Sequence, residues 1–536
     1  MKKSKIKEQY IIENFELKDE IDQLKMKNRM LDKKNKHFQS SKAYKVWQKY
    51  ANLKKPKTKN QELKQIDKIK VAFIADEFTY NSFKYEFKAV YITPKNWKSK
   101  FEKENIDIFF CESAWRGLKN SWRGKIYKKM KKNKENRTIL FEIIEYCKQN
   151  NIPTIFWNKE DPPHYKNEKF SFADTARHFD YIFTSSDKCL EHYKKDFNHP
   201  NVNTLMFAGQ PKLFNPLNLT DEKIDKIIFA GSYYPEFPER CELMDFIFDE
   251  LIEDGQDMMI YDRSYYRAKH RNYPEKYIKY TVPTISHEET AEVYKKMQWG
   301  LNINTITDSS TMFARRIFEL ALTYNNIITN YSLGVDEIFG DNVFVFDRDE
   351  SLPNFNNSYD EKKLNNLYNV LENHTYKKRW QQILDTIEFK YKDKKEDITI
   401  IFKLDENNSI DKIIDKFEAI NYPDKLLYII TDSDNIDMNN YPQIKKIYTT
   451  SNKNYKKQMK KDIKSEFWII CDMTIDNDFI KHALLHYQYL NKRFSIFSSE
   501  DKFKISIEND LINKVISKKR LEYLNEDNLE IESYSI

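Results

Sequence analysis

The sequence predicts an α/β fold of two facing Rossmann-like halves, with a helical arm before them and a further α/β region after them. Three observations carry this reading. From residue 68 onward, short apolar runs alternate with helical stretches, as parallel strands covered on both faces require. Two of the runs end in small-residue turns followed by arginines, and residues 10–38 carry an apolar repeat of period seven. At 536 residues the chain is long enough for several domains, which we place at 1–60, 61–210, 211–392 and 393–536.

In the arm, Tyr10, Leu17, Leu24, Leu31 and Phe38 recur every seven residues, and Asn14, Ile21, Asn28 and Asn35 fall on the partner register. Asparagine on a coiled-coil seam fixes register at the expense of stability, so a weak homo-oligomeric coiled coil through residues 10–38 is expected; a solvated single helix is the alternative. Residues 1–70 hold 21 Lys and Arg against 9 Asp and Glu, whereas the whole chain is only +7. Tyr44, Trp47 and Tyr50 stand among lysines and suit an anionic membrane surface, or equally a helix docked on its own catalytic domain. Nucleic acid is not an expected partner, because the rest of the chain is acidic and shows no nucleic-acid-binding module.

The first half reads as strands over Lys68–Ala75, Ile106–Cys111, Pro153–Trp157, Tyr181–Thr184 and Val202–Phe207, with helices such as Thr138–Gln149 and Ser186–Lys195 between them. After the third of these runs, NKEDPPHY holds Lys159, Glu160, Asp161 and His164 on a loop stiffened by two prolines. Asp161 or His164 is the candidate general base for an acceptor hydroxyl. The alternative is that Asp161 caps a turn and His164 bonds to backbone. Residues 209–219, GQPKLFNPLNL, break the pattern and read as the linker to the second half.

The second half reads as strands Ile227–Ala230, Met258–Tyr261, Gly300–Ile303, Ile327–Asn330 and Val343–Phe346, with helices Arg240–Glu253 and His287–Met297. In open α/β sheets ligands lie at the carboxyl ends of the strands, so the turns after these runs are candidates for one site. Gly231, Ser232 and Tyr233 form the first turn and Arg240 follows it; Asp262 and Arg263 form the second. Ser309, Ser310 and Thr311 stand where a helix is expected to begin, a seat for a phosphate at its N-terminus, with Arg315 and Arg316 adding charge and Glu319 placed to accept from a ribose hydroxyl. Arg263 is the candidate for stabilising a departing diphosphate. A capped helix with solvated arginines is the alternative reading of the same stretch.

These motifs together resemble the CgeB-like glycosyltransferases, of the GT-B group with a glycosyltransferase-4-like C-terminal half. The resemblance runs through FWNKEDPPHY, FDYIFTSS, IIFAGSYYPEFPER, MIYDR, LNINTITDSSTMFARRIFELA and ITNYSLGVDEIF, over roughly residues 69 to 390. It implies a nucleotide-sugar donor, a UDP-sugar for preference, with no cofactor and no bound metal. It also implies that a long helical stretch over Glu361–Tyr391 crosses back onto the first half. The acceptor it implies is a hydroxyl of a surface polymer, teichoic-acid-like or another surface glycan, or of a protein.

Residues 397–434 resemble the start of a GT-A glycosyltransferase: strand, helix, YPDK turn, strand ending in acids. Where a metal-binding Asp-x-Asp is expected, only Asp472, Thr474 and Asp476 occur, so this region is read as a degenerate accessory domain. Five separated cysteines without a CxxC pair speak against a zinc site or a disulfide framework, and with no long apolar run a cytoplasmic protein is expected, with peripheral contact at the inner membrane face. Two other function classes stay open: a non-catalytic glycan-binding scaffold, and a phosphotransferase using a CDP-alditol.

Overall fold

Two parallel sheets and a third, mostly parallel one follow one another along the chain of this computed structural model, which describes residues 63–130, 135–266, 273–349, 351–394, 396–433, 436–508, 510–520 and 531–536. By its contacts the chain divides into units 1–62 and 63–536; the predicted coiled-coil seam at residues 10–38 lies outside the described residues.

The first sheet has six parallel strands in the order Lys88–Tyr91, Lys70–Ile74, Ile108–Glu112, Thr154–Asn158, Tyr181–Thr184 and Val202–Thr204. Alternate residues feed opposite faces. Ala72, Phe109, Phe156 and Ile182 enter one core, while Val71, Phe73, Phe110, Ile155 and Trp157 enter the other. Lys88–Tyr91 is the strand that the reading above omits, because its KAVY is too short and polar at one end to register as an apolar run.

The second sheet is also six-stranded and parallel, in the order Thr281–Pro283, Met258–Asp262, Ile224–Gly231, Met297–Asn302, Asn326–Thr329 and Phe344–Val345. Numbered by chain position this is 3-2-1-4-5-6, the order of doubly wound dinucleotide-binding sheets, and it puts the topological switch point between Ile224–Gly231 and Met297–Asn302. The helix Arg316–Leu322 packs tightly over that point: a Cβ on Gly300 would stand 2.3 Å from a Leu320 methyl.

The expected long helix is two helices, Asp360–Asn373 and Tyr376–Thr386, broken around His374. The second covers one face of the first sheet through Tyr376, Trp380, Ile383 and Leu384, and Arg379 ties it to the Met206 and Phe207 carbonyls at 3.1 and 3.3 Å. The chain thus returns to its first half before the third region begins.

That region's sheet runs Ile444–Thr449, Lys425–Thr431, Ile398–Leu404, Phe467–Cys471, all parallel, with Ile516–Ser517 antiparallel at the edge. It shares one apolar cluster with the second half, and Gln488 Nε2 donates to the Leu371 carbonyl at 2.7 Å across the join. Asp472 closes on itself, its Oδ1 accepting from the Thr474 amide at 2.8 Å and hydroxyl at 2.6 Å. No helix among the described residues is long and apolar enough to cross a membrane.

Three carboxyls of the first half, the half-buried Glu86 and the fully buried Glu112 and Asp161, are each pushed up to about 7, desolvation being the largest cause in every case. A carboxyl whose folded pKa exceeds its unfolded one binds its proton more tightly when folded, so its contribution is complete below about pH 4 and is lost as pH rises toward 7. Stability is therefore expected to fall between pH 5 and pH 7.5, by up to about 1.4 kcal/mol per pH unit per group before relaxation, and the thermal midpoint to fall with it. Glu112→Gln should flatten that slope in calorimetric scans; a midpoint rising over the same interval would refute the assignment.

Candidate functional site

The turns after Ile224–Gly231 and Met258–Asp262 meet at the carboxyl edge of the second sheet, where the Arg263 amide donates to the Gly231 carbonyl at 3.2 Å. Gly231 is required there because a Cβ would stand 2.6 Å from the Phe229 ring. Arg316 lies across the same spot, donating to the Ala230 carbonyl with its guanidinium 4.8 Å from the centre of the Phe229 ring. Arg240 donates to the Ser232 carbonyl at 3.2 Å and lies 5.6 Å from the Tyr234 ring.

Arg263 is exposed by surface area, yet enough protein surrounds it at the mouth of the cleft that desolvation depresses its guanidinium, with Arg315 and Arg316 adding repulsion. Arg240 is lowered likewise, by burial first and by Arg316. Among the described residues no carboxylate forms an ion pair with Arg240, Arg263 or Arg316, although Glu160 of the first half attracts Arg263 from a distance. In the same corner the Ser232 hydroxyl is buried without a hydrogen-bond partner. Mutually repelling cations held together beside an unsatisfied donor are arranged for an anion.

Tyr233 is not part of this corner. Its hydroxyl donates to Asp245 at 3.1 Å, and it is Tyr234 that stands among the arginines. Arg315 is likewise spent elsewhere: it pairs with Glu319 and stacks on Phe78 of the first half, 3.9 Å from the ring centre. Glu319 is 4% exposed and also takes His287 Nε2 at 3.1 Å. Burial pushes this carboxyl up, but Arg315, His287 and Arg316 outweigh it and hold it below the ordinary carboxylate value. The ribose role expected of Glu319 is corrected accordingly: the carboxylate is buried and engaged by Arg315 and His287.

The expected phosphate seat is corrected too. No helix begins at Ser309–Thr311; the helix starts at Arg316, and the Ala314 amide before it donates to the Asn304 side chain at 2.9 Å. The three hydroxyls clasp the first half instead. Ser309 and Ser310 donate to the Asp187 carboxylate at 2.5 and 3.1 Å, the Asp187 amide donates to Thr311 Oγ1 at 2.8 Å, and Thr311 donates to the Ser185 carbonyl at 3.0 Å. The seat does hold an anion, and that anion is the protein's own Asp187.

On the first half, Asp161 is fully buried, accepting from Asn158 Nδ2 at 2.8 Å, Thr184 Oγ1 at 2.7 Å and Tyr193 OH at 3.0 Å. It cannot reach an acceptor, so its assignment as a base is corrected to a structural one. His164 is half-exposed, 3.9 Å from Glu160 and edge-on to Trp115. Three residues that the reading above passes over define the edge itself. Asp76, just past the strand Lys70–Ile74, accepts the amides of Trp115, Arg116 and Gly117 at 2.6–3.0 Å. Glu112, fully buried at the end of its strand, accepts the Asp76 amide and lies 3.3 Å from Lys159 Nζ. Phe78 carries Lys159 at 5.9 Å and Arg315 at 3.9 Å from its ring centre, linking the two edges. The signal for the two acids was an Asp or Glu closing a fully apolar run, IAD and FFCE.

A cavity of about 570 Å³ lies elsewhere, between the helices Asp360–Asn373 and Phe479–His486. Its charged lining of Glu361, Asp476 and Lys502 carries more acid than base, so it is no rival as an anion site.

No protein-family model and no curated protein matches this chain. Among solved structures it is similar to an alpha-glucosyltransferase in complex with UDP-glucose and DNA containing an abasic site, at 13% identity over 59% of this chain and 90% of that one, with a TM-score of 0.40. A glycosyltransferase from Rickettsia africae ESF-5 is similar at 12% identity over 60% and 97%, TM-score 0.37, and an alpha1,3-fucosyltransferase at 12% over 62% and 92%, TM-score 0.29. At such identities and scores the functional reading rests on the chain's own geometry.

Proposed function

We propose that this chain is a glycosyltransferase of GT-B plan, in which the second half holds a nucleoside diphosphate sugar and the first half presents an acceptor hydroxyl. The observation that carries the reading is that Arg240, Arg263 and Arg316, without carboxylate partners among the described residues, gather at the turns after Ile224–Gly231 and Met258–Asp262, where the Ser232 hydroxyl is buried and unsatisfied, beside the switch point of a 3-2-1-4-5-6 sheet. A pyrophosphate satisfies all four. As the bond from sugar to diphosphate breaks, charge builds on the leaving oxygens, where fixed guanidiniums stabilise it more than they stabilise the intact donor. Arginine supplies here what a divalent cation supplies elsewhere, so transfer should survive chelators.

Glu160, whose charge reaches Arg263 on the donor edge, and His164 beside it at 3.9 Å inherit the position given above to Asp161. The resemblance to CgeB-like enzymes supports a hexosyl donor, UDP-linked, and a surface-polymer or protein acceptor. Thermal-shift titration with UDP, GDP, CDP and dTDP at millimolar concentration tests the donor site. At least one diphosphate should raise the midpoint, and the matching sugar nucleotide should be slowly hydrolysed. Silence from all four would leave the scaffold reading, and CMP release from a CDP-alditol would replace transfer of a sugar with transfer of a phosphate.

A further inference from the structure

The carboxyl edge of the first sheet is roofed by two loops with an unusual charge. Residues 115–130 and 166–172 together hold eight lysines and arginines against one acid, Glu168, although the chain beyond residue 70 is net acidic. Residues Lys128–Lys129 and Phe170–Ser171 pair antiparallel and join the loops into one surface. Arg116, Lys119, Arg123, Lys166 and Lys169 are exposed, and among the described residues of these loops only Lys128 has an ion-pair partner, Asp174 at 3.4 Å. Such a surface repels itself unless a partner brings negative charge.

At its inner end the surface carries an aromatic knot. Trp115 lies 4.8 Å from Phe170, 5.0 Å from Phe172, 5.5 Å from Tyr127 and 5.7 Å from His164, and Trp115, Tyr127, His164 and Phe170 are all half-exposed. Three of these four rings meet Trp115 at 78–89°, an edge-to-face cluster. From there His164 leads to Glu160 at 3.9 Å, and Glu160 attracts Arg263 on the donor edge.

We infer that this surface docks a polyanionic glycan, the lysines and arginines gripping its acidic groups while the aromatic knot packs against an apolar sugar face beside the cleft. The inference names the acceptor class and rests on the transferase reading for that role, though the binding itself does not depend on transfer.

The test uses the full chain and a fluorescein-labelled polyglucuronate oligosaccharide, read by anisotropy at low and moderate salt. Arg123→Glu/Lys166→Glu/Lys169→Glu should weaken binding about tenfold or more at low salt and flatten the salt slope, since each lost phosphate-like contact removes a released counterion. Lys453→Glu/Lys457→Glu/Lys461→Glu, on exposed lysines of the third region, serves as the charge-matched control and should leave binding unchanged. Trp115→Ala should weaken binding without altering the slope. Equal loss in the control, competition by neutral dextran, or tighter binding of an oligo(dT) of equal charge would each overturn the assignment. Nucleoside diphosphate affinity of the triple variant should match that of the parent; a fall in that affinity instead would overturn the separation of the docking surface from the donor edge, while unchanged diphosphate silence in both proteins would fault the donor reading and leave this one standing.

Discussion

Arg263→Ala should weaken nucleoside diphosphate binding about 10- to 150-fold, the worth of one charge-assisted hydrogen bond of about 1.5–3 kcal/mol, with little change in the thermal midpoint of the free protein. The reason lies in what Arg263 does without ligand: it is exposed, it has no ion-pair partner among the described residues, and Arg315 and Arg316 repel it. Removing it relieves repulsion, so the free protein loses nothing. Arg316→Ala should cost similar affinity together with some stability, since its guanidinium also holds the Ala230 carbonyl and covers the Phe229 ring. Arg315→Ala should behave in the opposite way. Its partner Glu319 is buried and its ring contact, Phe78, belongs to the first half, so the variant leaves a buried carboxylate with His287 as its remaining hydrogen-bond partner and loosens the cleft, a stability loss of about 2–4 kcal/mol. Calorimetric titration of UDP against the three variants separates the roles; a larger affinity loss in Arg315→Ala than in Arg263→Ala would contradict the site as drawn.

The two parallel sheets of the halves were legible because their strands are apolar on both faces, so runs such as VAFIA and TIFW stand out from a lysine-rich background. The strands that escaped, Lys88–Tyr91 and Thr281–Pro283, lie at or near sheet edges and are short and partly exposed. Of the site, the arginines after the strand ends were legible because sheet topology sends every such turn to one edge. Partner choice was not. Serine and threonine ahead of an apolar helix signal a cap whatever they bind, and only the folded chain brings Asp187, more than a hundred residues away in sequence, onto Ser309 and Ser310. The same limit governs Tyr233 and Tyr234: adjacent tyrosines on one turn take different partners, one Asp245 and one the arginines, and nothing in the local sequence says which.

Asp161→Ala should destabilise the first half by about 3–5 kcal/mol, because it strips three donors of their acceptor inside a dry interior. Asn158, Thr184 and Tyr193 all converge on this carboxyl, and each is itself buried, so no solvent can take its place. The three donors also tie together the ends of two adjacent strands and the helix Leu190–Phe197, so the loss should spread to Ser185–Asp187 and thus to the clasp on the second half. Asp161→Asn is the discriminating variant. An amide retains the shape and one acceptor oxygen, the hydroxyls of Thr184 and Tyr193 can turn to accept from its Nδ2, and it lacks the carboxyl that is held near 7. If the residue is structural, Asp161→Asn keeps kcat within about threefold of the parent while flattening the fall of the thermal midpoint between pH 5 and pH 7.5. A kcat loss of about a thousandfold in a protein that unfolds like the parent would restore Asp161 as the base, since general-base catalysis is worth about 10²–10⁴-fold. His164→Asn, in contrast, removes a half-exposed ring that meets Trp115 and Phe170 and stands 3.9 Å from Glu160, so any large effect there should appear in turnover rather than in stability.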